Sequence, residues 1–149
     1  MSGTLRLLLG RGAAGLPPAV PIDFPSLVLP ASPNTCLAAP PGGHPRAHLT
    51  VPLLPISAAT AWPVLLRVAA GFPRTTLVQA WPDRRQAQWV ERSALVNFPD
   101  VIVAELVSGA GGAGFFLYSR SLLGWSDLGV NRRRVDRWLA AFEAALRQA

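Results

Sequence analysis

The sequence predicts an α+β domain, in which an antiparallel sheet of four or five strands follows one helix and is closed by a long C-terminal amphipathic helix. Three observations favour this class. Apolar residues recur at helical spacing over residues 131–147. Residues 75–119 are rich in β-branched and aromatic types. Short turn signals divide that region, and short connections make neighbouring strands antiparallel.

The first 46 residues are rich in proline and glycine, which disfavours a long helix or a central strand there. We predict a flexible tail over residues 1–21 and a single domain over residues 22–149, since the length and hydrophobic content suit one core. The start of the domain carries apolar residues that a disordered segment would lack. These residues predict an ordered wrap across the core: Ile22, Phe24, Leu27, Val28 and Leu29.

Two elements are predicted before the main sheet. Residues 49–54 form a strand, and a first helix runs from Ser57 or Thr60 to residue 70. If Thr60 caps this helix, Pro63 lies in the first turn, where no amide bond is lost. If Ser57 is the cap, Pro63 lies further inside and should kink the helix.

The remaining elements have clearer patterns. Strands are predicted over residues 75–80, 86–96, 101–107 and 115–119. In the last helix Asn131 is expected to cap the start, while Arg133 and Arg137 point into solvent. One stripe of this helix is predicted to pack on the sheet: Val135, Trp138, Leu139, Phe142 and Leu146.

Charge and cysteine content limit the classes of partner and compartment. All 14 basic residues are arginine, and 8 acidic residues leave a net charge of +6. Clustered arginine would suit nucleic acid, but only residues 132–134 form a run, which disfavours nucleic acid as a partner. Cys36 is the single cysteine, so no internal disulfide can form.

The chain is expected to be soluble and cytoplasmic. The apolar run at residues 5–9 is shorter than a signal-peptide core. Residues 47–66 are uncharged, but prolines interrupt them at positions 52, 55 and 63, which argues against a transmembrane segment.

Three motifs resemble functional sites but lack the neighbouring structure or residues that those functions need. Residues 109–114 match G-x-G-x-x-G, but a strand follows where a dinucleotide site needs a helix, so we predict a hairpin loop. His44 and His48 flank Pro45, which argues against the helix that would bring both rings to one metal. Ser126 lies in a near match to a nucleophile elbow, yet no histidine follows His48. Neither a metal nor a cofactor is therefore predicted.

Polar and charged side chains are concentrated in residues 118–132, called the signature loop below. Gly124, Gly129 and Asp127 predict a backbone held in one specific shape. The arginines at 132–134 stand at the start of a helix, where each cation is disfavoured by about 0.3 to 1 kcal/mol. Asp127 is predicted to pair with them, and a bound anion or acidic partner is the alternative.

Four short motifs carry a family resemblance. They are PNTC at residues 33–36, FPD at 98–100, YSRS at 118–121 and GWSDLGVNR at 124–132. In these motifs the chain resembles the bacterial domain-of-unknown-function family 1499 (DUF1499) from about residue 22 to 146. The resemblance implies a compact α+β domain without an established activity, catalytic residue or cofactor, and it implies that the signature loop is the characteristic site.

Two classes of function remain. The first is a non-catalytic module that binds a small molecule or a protein through the signature loop and the adjacent sheet face, where a solvated surface is the alternative to a cleft. The second is a small hydrolase-like enzyme that uses Ser126 and Asp127 with a histidine from the N-terminal wrap. A cavity with His44 or His48 within hydrogen-bonding distance of Ser126 would favour it. No catalytic residue is assigned. The predicted binding residues are Arg92, Tyr118, Arg120, Ser126, Asp127, Asn131 and Arg132.

Overall fold

The computed structural model describes residues 2–149, and this range forms an α+β fold with three α-helices and six strands. The helices are α1 (Gly3–Leu9), α2 (Ala58–Ala70) and α3 (Val130–Arg147). Among the described residues, no helix is both long and apolar enough to cross a membrane. The strands are β1 (Thr35–Ala39), β2 (Leu49–Thr50), β3 (Thr75–Trp81), β4 (Gln86–Arg92), β5 (Pro99–Val107) and β6 (Gly114–Ser121).

The sheet has six strands in the order β2-β1-β6-β5-β4-β3 and is mixed, because β1 and β2 run parallel. The sequence predicted four or five strands, all antiparallel, and the sheet has one more strand and one parallel pair. The prediction that the first 46 residues form no central strand was wrong, because β1 lies inside the sheet. β1 occupies the stretch between Pro33 and Pro40, which contains neither proline nor glycine and so leaves its amides free to pair. β2 is shorter than the predicted strand because Pro52 interrupts it, although Leu54 keeps an isolated bridge to Ala113.

The four consecutive strands predicted over residues 75–119 all form, and each pairs antiparallel with the next. β4 ends at Arg92, earlier than predicted, because the chain turns over residues 93–97, where Asn97 has a φ of 57°. The glycine-rich residues 109–114 connect β5 to β6 as a hairpin, which the sequence predicted.

Helices α2 and α3 cover one face of the sheet. The Ser57 hydroxyl accepts a hydrogen bond from the Thr60 amide at 3.1 Å, so Ser57 is the cap of α2 and Pro63 lies inside the helix. In α3 the predicted stripe is confirmed: Val135, Trp138 and Phe142 are buried, with Leu139 and Leu146 packed beside them.

The N-terminal segment covers the opposite face of the sheet, as the predicted wrap requires. Phe24 is fully buried and stacks on Phe116 with ring centroids 4.8 Å apart. Ile22, Leu27 and Leu29 pack against the same cluster. Of the predicted wrap residues, Val28 instead lies in solvent with 88% of its surface exposed.

Part of the range predicted as a flexible tail, residues 1–21, is helical. α1 begins after Ser2, whose hydroxyl accepts a hydrogen bond from the Leu5 amide at 3.2 Å. Residues 3–9 contain no proline, and the sequence prediction overlooked this short capped stretch.

One end of the sheet collects the segments that form the site. The register pairs Arg92 with Pro99, Asp100 with Ser121, and Thr35 with Arg120. The ends of β4 and β6 therefore lie beside the starts of β1 and β5. The turn at residues 93–98, the loop at residues 122–129 and the start of α3 meet at this end.

Candidate functional site

The carboxylate of Asp127 fixes the shape of the signature loop. Its Oδ1 accepts a hydrogen bond from the Gly129 amide at 2.7 Å, and its Oδ2 accepts one from the Asn131 amide at 3.0 Å. α3 begins at Val130 with Gly129, at a φ of 84°, in the cap position. The prediction that Asn131 caps the helix was wrong, because Asp127 already satisfies the amides that a cap residue would serve.

Asn131 is fully buried and joins three parts of the chain. Its Nδ2 donates to the backbone carbonyl of Asn34 at 2.9 Å and to the Ser121 hydroxyl at 2.8 Å. Its Oδ1 accepts a hydrogen bond from the Ser119 hydroxyl at 2.6 Å. The side chain therefore connects α3 to β6 and to the residue that precedes β1.

Arg134 lies at the centre of a buried ionic cluster. Only 4% of its side chain is exposed, and its NH2 lies 2.7 Å from Glu91 Oε2 while its NH1 lies 2.8 Å from Asp100 Oδ2. The same guanidinium donates to Asn131 and Ser119 at 2.9 and 3.1 Å. Two carboxylates and two neutral acceptors thus satisfy one buried cation, as a stable buried charge requires.

The predicted pairing of Asp127 with the arginine run was wrong. Arg134 turns inward to Glu91 and Asp100, while Arg132 forms an exposed pair with Asp136 at 3.5 Å. Arg133 donates to the carbonyl of Leu128 at 3.0 Å. Each arginine of the run therefore has its own acceptor, and only Arg134 is compensated by carboxylates from distant strands.

Arg137, which the sequence predicted to point into solvent, also joins the cluster. Arg137 NH2 donates to Glu91 Oε1 at 2.9 Å, and its guanidinium lies over the ring of Phe72. Its side chain is half exposed, so it seals the outer side of the cluster. Glu91 consequently contacts two arginines.

A cavity of about 330 Å³ opens beside this cluster. Asp100 and Arg134 reach it from the interior, and the signature loop forms one wall. The other polar residues that line it are Ser93, Ser121, Ser126 and Asp127. Its apolar lining consists of Val96, Phe98, Leu123, Leu128 and Val130.

Leu128 is the most unusual residue of this lining. It has a φ of 55°, a conformation that costs a non-glycine residue about 1 to 3 kcal/mol, and 86% of its surface is exposed. Val96 and Phe98 are also exposed on the facing turn. The fold therefore holds an apolar side chain in solvent at the cavity mouth, where it contributes little to folding.

The two carboxylates at the cavity have opposite pKa shifts. Burial raises the pKa of Asp100, and Arg134 and the Ser121 hydroxyl only partly offset that effect. Burial also acts to raise the pKa of Asp127, but hydrogen bonds from Asn131 and the Gly129 amide outweigh it and hold the pKa below its usual value. The surroundings of Asp127 therefore stabilise its ionised form more than the surroundings of Asp100 stabilise that of Asp100.

The sequence also matches a known protein family. The sequence profile described as "Protein of unknown function (DUF1499)" matches residues 28–142 of the chain. The chain belongs to the DUF1499 family. The match includes the whole signature loop, the sheet and most of α3. No protein with a curated description matches the chain.

Three of the predicted binding residues of this DUF1499 chain lie on the face of the sheet opposite the cavity. Arg92 donates to the carbonyls of Gly12 and Ala14 at 3.0 and 2.8 Å, and it also donates to the carbonyl of Leu7. Tyr118 is buried against the N-terminal segment, where burial raises its pKa. Arg120 lines a small cavity of about 110 Å³ under the same segment.

The other four predicted residues belong to the loop side. Ser126 and Asp127 line the 330 Å³ cavity, and Asn131 lies in the buried network beside it. Arg132 is exposed and pairs with Asp136. The structure thus divides the seven predicted residues between two faces.

Sequence reasoning did not assign Glu91, Asp100 or Arg134 to the site. Asp100 was visible in the FPD motif, which carried the family resemblance but was given no role in the site. Arg134 was part of the arginine run, and Glu91 shares a strand face with Trp89. The contact between Arg134 and Glu91 joins positions 43 residues apart, which no local pattern reveals.

The geometry does not supply the histidine that the hydrolase alternative of this DUF1499 chain needs. His44 Nε2 lies 2.7 Å from the carbonyl of Leu27, and His48 Nδ1 accepts a hydrogen bond from the Leu37 amide at 2.9 Å. Ser126 Oγ accepts a hydrogen bond from the Leu128 amide at 3.4 Å. Within residues 2–149, no hydrogen bond joins Ser126 to a histidine, and no group of histidine, cysteine or acidic side chains is arranged to hold a metal.

A larger cavity of about 450 Å³ lies elsewhere, between residues 52–56 and the end of α3. Its charged residues, Glu143 and Arg147, are exposed on the last turns of the helix. We favour the smaller cavity as the site, because a buried network orients its polar groups before a ligand arrives.

Proposed function

We propose that this domain is a non-catalytic binding module that takes a small amphipathic molecule into the cavity beside the signature loop. One observation carries the proposal: the cavity joins an apolar, exposed mouth to a polar floor that a buried network holds in place. Apolar walls with a few oriented polar groups are typical of small-molecule sites.

The floor is preorganised by contacts that do not involve the ligand. Arg134 anchors Asp100 at 2.8 Å, and the Asp127 carboxylate holds the loop amides. Because these side chains are already ordered, binding requires little additional loss of conformational entropy. This supports recognition of a specific ligand and does not require a nucleophile or a base.

The dimensions favour a small ligand. A volume of about 330 Å³ is at the lower end of the range of about 300 to 1,000 Å³ found for ligand sites. The exposed apolar residues Val96, Phe98 and Leu128 would then lose water on binding. Burying a leucine side chain contributes about 1.5 to 3 kcal/mol, which would offset the strain at Leu128.

A fluorescence titration with N-phenyl-1-naphthylamine tests the proposal, because this neutral amphipathic dye brightens when it leaves water. We expect saturable binding to the wild-type protein. Leu128→Asn removes the apolar contact and suits the backbone, since asparagine tolerates positive φ. The variant should bind the dye at least about tenfold more weakly.

Val28→Asn is the matched control, because Val28 is exposed to a similar degree and lies outside the cavity lining. The control should bind the dye as the wild type does. Equal binding by wild type, Leu128→Asn and Val28→Asn would contradict the assignment of the site, and failure of the wild type to bind would contradict the proposed function.

A further inference from the structure

We infer that the ligand of the cavity carries an ammonium head group on a short alkyl or aryl tail. This inference rests on the proposed function and deepens it by naming the ligand class. It follows from the balance of charge at the cavity floor and from the donors that are already occupied there.

The charges at the floor do not cancel. Arg134 and Arg137 contribute two positive charges, while Glu91, Asp100 and Asp127 contribute three negative ones. The difference, two minus three, leaves one negative charge beside the cavity. An opposite charge within about 4 to 6 Å stabilises a carboxylate, so a cationic head is the complementary ligand.

The buried donors are committed to the protein. Arg134 donates to Glu91, Ser119 and Asn131, and the Asn131 amide group donates to Ser121 and to the carbonyl of Asn34. A ligand anion would therefore compete for donors in use and approach two carboxylates. A ligand that donates hydrogen bonds meets the acceptor oxygens of Asp100 without disturbing the network.

The raised pKa of Asp100 is consistent with a cationic partner, since burial of this carboxyl is only partly compensated by Arg134. An ammonium group would supply the missing compensation and favour the ionised form. Arg133 lies on the outer side of the loop and is exposed, so solvent and salt screen its charge from the floor.

Displacement of N-phenyl-1-naphthylamine by octylammonium, 1-octanol and octanoate at pH 7 tests this inference, because the three share one tail and differ in the head. We expect octylammonium to displace the dye from the wild-type protein at a concentration at least about tenfold lower than either of the others. In Asp100→Asn, the ratio between the displacing concentrations of 1-octanol and octylammonium should fall toward one, because the head group no longer meets that carboxylate. If that variant does not fold, the wild-type comparison alone decides.

The outcomes separate the inference from the proposed function. Equal displacement by all three compounds, or strongest displacement by octanoate, would overturn the ammonium head and leave the binding module intact. If the dye binds with the Leu128 dependence described above but octylammonium fails to displace it, the inference is also overturned. If the dye does not bind to the wild type, the proposed function itself fails.

Discussion

Replacing Arg134 with methionine removes the buried cation while keeping a side chain of similar length. In the wild type Arg134 is 4% exposed, and its two carboxylate partners, Glu91 and Asp100, are about nine-tenths buried. The substitution leaves both carboxylates without their main partner inside the protein. Breaking a buried pair in this way costs about 3 to 5 kcal/mol of unfolding free energy. For a domain of this size we expect the melting temperature to fall by about 6 to 20 °C.

Arg132→Met is the matched control, because it makes the same change two positions earlier in α3. The Arg132–Asp136 pair is more than half exposed on both sides, so its loss should cost about 0 to 1 kcal/mol. Urea unfolding at pH 7, followed by tryptophan fluorescence, measures both variants. Combining Arg134→Met with Glu91→Gln and Asp100→Asn should recover part of the loss, since no buried charge then lacks a partner. Equal stability of the two single variants would refute the assignment of Arg134 as the centre of the site.

Three further predictions concern individual residues. Leu128→Asn should match the wild type in unfolding free energy or exceed it by about 1 kcal/mol, because asparagine adopts a positive φ with less strain than leucine. A clear loss of stability would show that Leu128 contributes to the stability of the fold. For Asp127, hydrogen bonds outweigh burial and lower its pKa in the folded state, so its stabilisation is present above the unfolded value of about 3.9 and is lost as the pH falls through the folded value. The difference in unfolding free energy between wild type and Asp127→Asn should therefore be largest at neutral pH and shrink below about pH 4, and a constant difference would contradict this. Arg92→Met should speed hydrogen exchange of the amides within residues 6–16 while β5 stays protected, whereas the exposed Arg46→Met should change neither.

Local patterns in the sequence predicted the elements that carry strong periodicity. α3 and the strands from residue 75 onward follow from apolar spacing and turn residues, which act within a few positions. β1 was missed because its five residues lie among prolines that dominate the composition of the region. Its place in the interior of the sheet depends on pairing with β6, about 80 residues later. No local preference reveals such a pairing.

In the candidate site, too, the contacts between residues close in sequence could be predicted and those between distant segments could not. The importance of Asp127 was evident from the loop itself, since an acid between two glycines before a helix satisfies amides close in sequence. The predicted ion pair between Asp127 and the arginine run was wrong, because Arg134 pairs instead with carboxylates from β4 and β5. In the structure, Arg92, Tyr118 and Arg120 share one face of the sheet, and the sequence could not show that the N-terminal segment covers that face.

A titration of the isotope-labelled protein with octylammonium, followed by amide ¹H–¹⁵N NMR, tests most directly whether an ammonium ligand binds in the cavity beside the signature loop. We expect the largest shifts in residues 93–100 and 121–130, the segments that line the cavity beside the signature loop. Shifts centred instead on residues 52–56 and the end of α3, which line the larger cavity, would contradict this expectation, as would the absence of any saturable shift.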